Sequence, residues 1–231
     1  KEKFKVPLKV LLGFIVSGVI IALHWFTFYH AIKVSNISIT LVCLSTGAFF
    51  ASIIEPLFYK RKIILYEIIF GLVTVIGLSI IFNVETKYKL GFFLAVTSAF
   101  LSALFSVINS KYAKEYSPNV ISFYELSSGV IFLSILFLFT GNFTAGFFQI
   151  TYQDLLWLLL LASICTAYAF SASIKVMKFL SAFTVMLTIN LEPIYGIILA
   201  LLFFQDSEHM NAWFYIVAVI ILITVISNGI L

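Results

Sequence analysis

The chain has 231 residues, 62% of them apolar and only 10% charged, with a net charge of +4 and a mean hydropathy of +1.14. Soluble domains are closer to half apolar and a quarter charged, so this composition excludes a water-soluble fold and leaves no polar stretch long enough for a separate soluble domain. The net charge is small and the Lys residues cluster in short loops, which is a pattern of membrane orientation and not of nucleic-acid binding.

A membrane-spanning helix needs about 20 mostly apolar residues. Eight runs satisfy this, at 8–31, 37–58, 63–82, 90–110, 120–140, 155–174, 182–204 and 212–230. An all-α polytopic membrane protein with eight transmembrane helices is therefore expected. The breaks between runs carry turn or charge signals, among them Lys60-Arg61-Lys62 and the segment 205–209. All connections are short, so neighbouring helices are expected to be antiparallel. Alternate loops then fall on opposite sides. One side holds Lys1, Lys3, Lys5, Lys9, Lys60, Arg61, Lys62, Lys111, Lys114, Lys175 and Lys178, and the other holds Lys33, Lys87 and Lys89. The positive-inside rule puts both ends of this chain in the cytoplasm of a multi-pass cell (inner) membrane protein.

The chain also aligns weakly with itself at a displacement of 145 positions. Ala22 meets Ala167, Lys33 meets Lys178, and Gly47-Ala48 meets Glu192-Pro193. Spans one to three fall on spans six to eight, so the repeat would be inverted in the membrane, a recurrent plan of secondary transporters. Residues 87–231 would form one complete five-helix repeat and residues 1–86 the last three helices of the other. On this reading the native protein has ten spans, with two more helices, of order 60 residues, preceding Lys1.

Polar groups inside apolar spans are costly and commonly line a pathway. In span one, His24 and Trp25 with Tyr29 can form an amphipathic wall that stacks on a flat solute, or His24 can be a hydrogen-bonded packing group. Glu55, one turn before Lys60-Arg61-Lys62, reads as an interfacial ion pair. Span four places Ser98, Ser102, Ser106 and Ser110 at four-residue spacing beside Ala95, Ala99 and Ala103, a pattern for close helix packing. Asn109 would be a gate or point outward, and Glu125 would be an entrance residue or a partner of Lys111 or Lys114. In span six, Tyr168 is the binding candidate, against an interfacial placement. In span seven, Asn190, Glu192 and Pro193 interrupt an apolar run, and Gly196 loosens the same turn. Asn190 and Glu192 line a substrate or proton site there, or else fix the kink against a neighbouring helix. Pro193 and Gly196 are hinge candidates. Cys43 and Cys165 lie in apolar runs and read as small buried hydrophobes.

No Gly-x-Ser-x-Gly elbow, His-Glu-x-x-His pair or paired aspartates occur, so an intramembrane enzyme is the weaker reading. A channel-like or structural membrane protein is the further alternative, though filter-like repeats are absent. No cofactor or metal site is expected. The expected partners are a small-molecule substrate and membrane lipid, with no nucleic acid and with a homodimer left open. Arg61 is the lone arginine and lies in a loop, which favours a neutral or zwitterionic solute over a phosphate ester.

With these residues in hand, the chain resembles the EamA-type permeases of the drug/metabolite transporter superfamily over its whole length. The specific stretch is Lys178, Ser181 and Leu191-Glu192-Pro193, with a first-repeat counterpart running from Lys33 to Ala48. Ala48 replaces the usual proline. The segment from Ala22 to Lys33 is similar to the family's third helix. The resemblance implies ten helices in two inverted five-helix repeats around a central cavity. It also implies movement of small metabolites, often amino acids or related compounds, commonly outward, and alternating access around a site near Glu192, His24 and Trp25 is expected.

Overall fold

The computed structural model describes residues 4–66, 68, 69, 72, 73, 76, 77, 80, 86–189, 191–204 and 210–230. Nine of the twenty residues of the expected third span lie outside the described residues, as do the break at 205–209 and Asn190. Among the described residues the chain is helical, with no strand. Its helices are α1 (Leu8–Val34), α2 (Ile37–Leu44), α3 (Gly47–Tyr59), α4 (Lys89–Tyr112), α5 (Pro118–Phe139), α6 (Tyr152–Val176), α7 (Ala182–Ile189), α8 (Glu192–Phe204) and α9 (Ala212–Ile230). Among the described residues, five segments are long and apolar enough to cross a membrane: α1, α2 with α3, α4, α5 and α6.

Local chemistry explains the boundaries. Asn36 caps α2, its side chain accepting the Ile39 N–H at 2.9 Å. Lys60 closes α3 in the left-handed region at φ 52°, donating its N–H to the Pro56 carbonyl. Pro118 opens α5, where a missing N–H costs nothing. A capping box starts α6: the Asp154 N–H donates to the Thr151 hydroxyl at 3.1 Å, and the Asp154 carboxylate accepts the Thr151 N–H at 3.2 Å. Within α6, Leu161–Tyr168 widens to π-helical winding.

The structure divides into two compact units. The first comprises Lys1–Ala22 and Ile108–Phe179. Here α1 and α5 approach closely at glycines. A Cβ on Gly18 would run into the backbone of Glu125, and one on Gly129 would sit 3.1 Å from the Gly18 carbonyl oxygen. Phe14 is fully buried among Tyr112, Tyr116 and Tyr124, with ring centroids 4.9, 5.8 and 6.0 Å away. Ser171 of α6 donates to Ser122 of α5 at 3.0 Å. The expectation of two buried cysteines is half corrected: Cys43 is buried, but Cys165 is exposed on α6. An apolar run alone does not say which face of a lipid-bathed helix meets protein.

The second unit comprises Leu23–Val107 and Leu180–Leu231. Its organising feature is a pair of broken helices. α2 and α3 are 8 and 13 residues long, and so are α7 and α8. Their boundaries coincide at a displacement of 145 positions, the one at which the sequence aligns with itself. α2 packs on α8 and α3 packs on α7, so the two broken helices lie antiparallel, first half to second half. Gly47 of α3 lies against Met186 of α7, and Gly196 of α8 lies against Leu41 of α2. One buried cluster joins Ala48 and Ala51 with Ala103, Phe183 and Met186. Another joins Ile39, Val42 and Cys43 with Ala31, Phe92, Ala95, Phe214 and Val217.

Candidate functional site

The serine stripe of α4 sits in the interior. Ser98, Ser106 and Ser110 are buried with Ala95, Ala99 and Ala103, which makes this face a packing face. Ser106 and Ser102 direct their hydroxyls to the Met186 sulfur at 3.3 and 3.9 Å.

His24 lies against that stripe. Its Nδ1 is 2.8 Å from the Ser98 hydroxyl and 2.9 Å from the Ser98 carbonyl oxygen, and the Ser98 hydroxyl is 3.0 Å from the His24 carbonyl. The ring packs on Phe28 and Phe105, with centroids 6.3 and 5.5 Å away. One nitrogen of the imidazole is thus committed to α4, and the ring is fixed. Trp25 is half-buried and Tyr29 is exposed one turn further along the same helix.

The interruption in span seven is a complete break. α7 ends at Ile189, Leu191 forms a turn, and Glu192 is the first residue of α8. Pro193 follows as the second helical residue, buried, at a position where its missing donor costs little. The carboxyl of Glu192 lies in the first turn, where the positive end of the helix dipole favours an acid, and the residue is exposed. Gly196 lets α8 approach Leu41. The sequence candidates therefore gather on two helices of this unit: His24, Trp25 and Tyr29 on α1, and Glu192, Pro193 and Gly196 on α8. Tyr168 is exposed at the end of the π-helical stretch in the other unit.

Of three further acids and amides, Glu55 pairs as the sequence suggested, and Asn109 and Glu125 stand elsewhere. Glu55 does pair with Arg61, at 3.2 Å. Its other oxygen accepts the Phe183 N–H at 2.8 Å, so it also caps the start of α7. That second role has no sequence signal, because the two groups are 128 positions apart. Asn109 is neither gate nor outward-pointing: it is fully buried and bonded to Ser17 and Glu125. Glu125 is fully buried as well, with the Asn109 amide on one carboxylate oxygen. It is therefore an interior residue rather than an entrance residue.

Membrane-length helices, a pair of antiparallel broken helices and polar groups exposed at one break define an integral, multi-pass membrane protein of transporter type. A family model described as the EamA-like transporter family matches residues 89–228. The chain belongs to that family. It is 28% identical over 199 residues to an uncharacterized transporter of Clostridium kluyveri, covering 83% of this chain. The chain spans 63% of that relative's length. A solved crystal structure shares the fold at a TM-score of 0.68, covering 98% of this chain and 78% of that one at 12% identity.

Proposed function

We propose that the protein moves small neutral or zwitterionic solutes of the amino-acid class outward across the cell (inner) membrane, by alternating access. Residues 1–86 and 87–231 act as parts of two inverted five-helix repeats, with both ends of this chain cytoplasmic. The observation that carries the reading is the antiparallel pair of broken helices, α2–α3 against α7–α8, with equal segment lengths at a displacement of 145 residues. Discontinuous helices in corresponding positions of two repeats are where secondary transporters bind their solutes.

The solute sits at the second break. Glu192 and Asn190 supply polar contacts, and Trp25 and Tyr29 supply flat amphipathic surface. His24, fixed by Ser98, orients that wall. Pro193 and Gly196 absorb the hinge motion. An ammonium group matches the Glu192 carboxylate, and the scarcity of fixed positive charge disfavours phosphate esters.

The test is counterflow in proteoliposomes of the full-length protein, with each labelled proteinogenic amino acid in turn. Wild type should exchange at least one. Glu192→Gln and His24→Ala should lose most of that exchange. Wild-type rates in both variants overturn the site, and no exchange of any amino acid overturns the solute class.

A further inference from the structure

The site above leaves one buried acid unused. Glu125 is fully buried in the first unit, as are Asn109 and Ser17. The Asn109 amide Nδ2 donates to Glu125 Oε2 at 3.0 Å, and the Ser17 hydroxyl donates to Asn109 Oδ1 at 3.3 Å. The three residues come from α5, α4 and α1. The remaining carboxylate oxygen, Oε1, is buried and has no hydrogen-bond partner among the described residues.

An orphaned carboxylate oxygen in an interior is costly if nothing occupies it, so natural interiors rarely keep one without use. A purely structural link to Asn109 needs one oxygen, and a glutamine would supply it without a charge. The pocket wall is tight: a Cβ on Gly18 would collide with the Glu125 backbone. α1 presents Ser17 and Gly18, and α6 presents Ser171 to Ser122, just before Glu125 on α5. The titratable group that faces it is Tyr112 of α4, itself near Tyr116 and Glu115. Tyr124, the preceding residue, sends its hydroxyl instead to the Phe4 carbonyl at 2.8 Å.

We propose that Glu125 is a proton-carrying carboxyl, taking up a proton on Oε1 and releasing it during the transport cycle. Uptake forms one O–H bond, with water or hydronium giving up the proton, and converts the carboxylate to the neutral acid. Release breaks that bond, returns the proton to water and restores the charge. No electron is transferred. Asn109 and Ser17 hold the other oxygen still, so that the proton exchanges at one atom. A bound metal cation fits the group less well, because hard cations want six or more oxygens and Asn109 offers the carboxylate its nitrogen. Coupling of this proton to solute flux rests on the transport reading above, whereas the exchange itself does not.

Infrared difference spectra of the full-length protein in vesicles, taken while pH is stepped, test the exchange directly. A carboxylic-acid carbonyl band should grow as pH falls, shift in deuterated buffer, vanish in Glu125→Gln and survive in Glu192→Gln. Asn109→Ala and Ser17→Ala should move its midpoint, which keeps the test decisive if Glu125→Gln does not fold. The proposal fails if no such band depends on Glu125, if the band never responds to pH, or if sodium shifts it as protons do. In the counterflow assay, Glu125→Gln should keep amino-acid exchange but lose accumulation driven by a pH gradient. Failure of that assay alongside an intact Glu125 band sinks the transport reading and leaves the proton site standing.

Discussion

Gly18→Ala offers a sharp test of how the first unit is packed. In an isolated helix the change helps, since Ala is roughly 1 kcal/mol better than Gly in a helix interior. In this fold the new methyl meets the Glu125 carbonyl oxygen and the Ser128 hydroxyl, and lies 3.0 Å from the Glu125 carbonyl carbon. A serine hydroxyl can rotate away, but a backbone carbonyl inside a helix cannot. α1 and α5 must separate, and Gly129 opposite Gly18 shows that the approach is close from both sides. Overpacking of this kind costs about 1–3 kcal/mol, and a backbone clash belongs at the upper end. Subtracting the helix gain leaves a net loss of about 1–2 kcal/mol. At roughly 2–4 °C per kcal/mol for a chain of this size, the melting temperature should fall by about 2–8 °C. Fluorescence-detected size-exclusion thermostability in detergent measures this. Gly146→Ala is the control, because there the nearest atom is the Thr144 hydroxyl at 3.8 Å. If Gly18→Ala melts at or above wild type while Gly146→Ala is neutral, the close contact of α1 with α5 is wrong.

Other perturbations probe the second unit. Glu55→Ala removes both the Arg61 pair and the acceptor for the Phe183 N–H, and should cost about 1–3 kcal/mol in the same thermostability assay. Glu55→Gln should recover part of this by keeping an acceptor for α7. Ser98→Ala removes the hydroxyl contacts to His24 but leaves the Ser98 carbonyl beside Nδ1, so it should cost about 0.5–1.5 kcal/mol, while Ser102→Ala, which loses only a long contact to sulfur, should be nearly silent. Gly196→Ala should destabilise by crowding Leu41, and Leu41→Ala in the same chain should relieve that crowding, giving a coupling of about 0.5–3 kcal/mol in a double-mutant cycle. Strict additivity in that cycle would refute the packing of α8 on α2.

The membrane class and most of the span positions were legible because hydropathy acts locally: an apolar run of the right length can only be a helix in lipid. The break in span seven was partly legible, since Glu192-Pro193 interrupts the apolar run, whereas the one in span two was not, because 37–58 reads as a single span with Ala48 in place of a proline. The side-chain roles were less legible. Glu125, Glu55 and Glu192 are each a lone acid within or at the end of an apolar run, and sequence treats them alike. In the fold they differ completely, because the face each takes is set by partners far along the chain. Asn109 meets Glu125 16 positions away, but Ser17 lies 92 positions from Asn109 and Glu55 reaches Phe183 across 128. Cys165 was misjudged for the same reason: in lipid, an apolar environment is no evidence of burial against protein.

The two breaks also differ, and that difference bears on where a solute can sit. At the first, Ser45 and Thr46 are buried, and their hydroxyls turn back on the carbonyls of Val42 and Cys43 at 2.6 and 2.7 Å. The backbone groups freed by that interruption are therefore consumed by the chain itself. At the second, Leu191 and Glu192 are exposed, and the Leu191 N–H donates to the Thr188 carbonyl at 3.1 Å. A polar solute gains little from a break whose groups are already paired, and gains most from one whose groups still face outward. Exposure at Leu191 and Glu192 against burial at Ser45 and Thr46 is the reason we propose the second break as the solute seat and Ser45-Thr46 as its structural counterpart. If Ser45→Ala and Thr46→Ala together abolish amino-acid exchange without lowering thermostability, that assignment of roles is reversed.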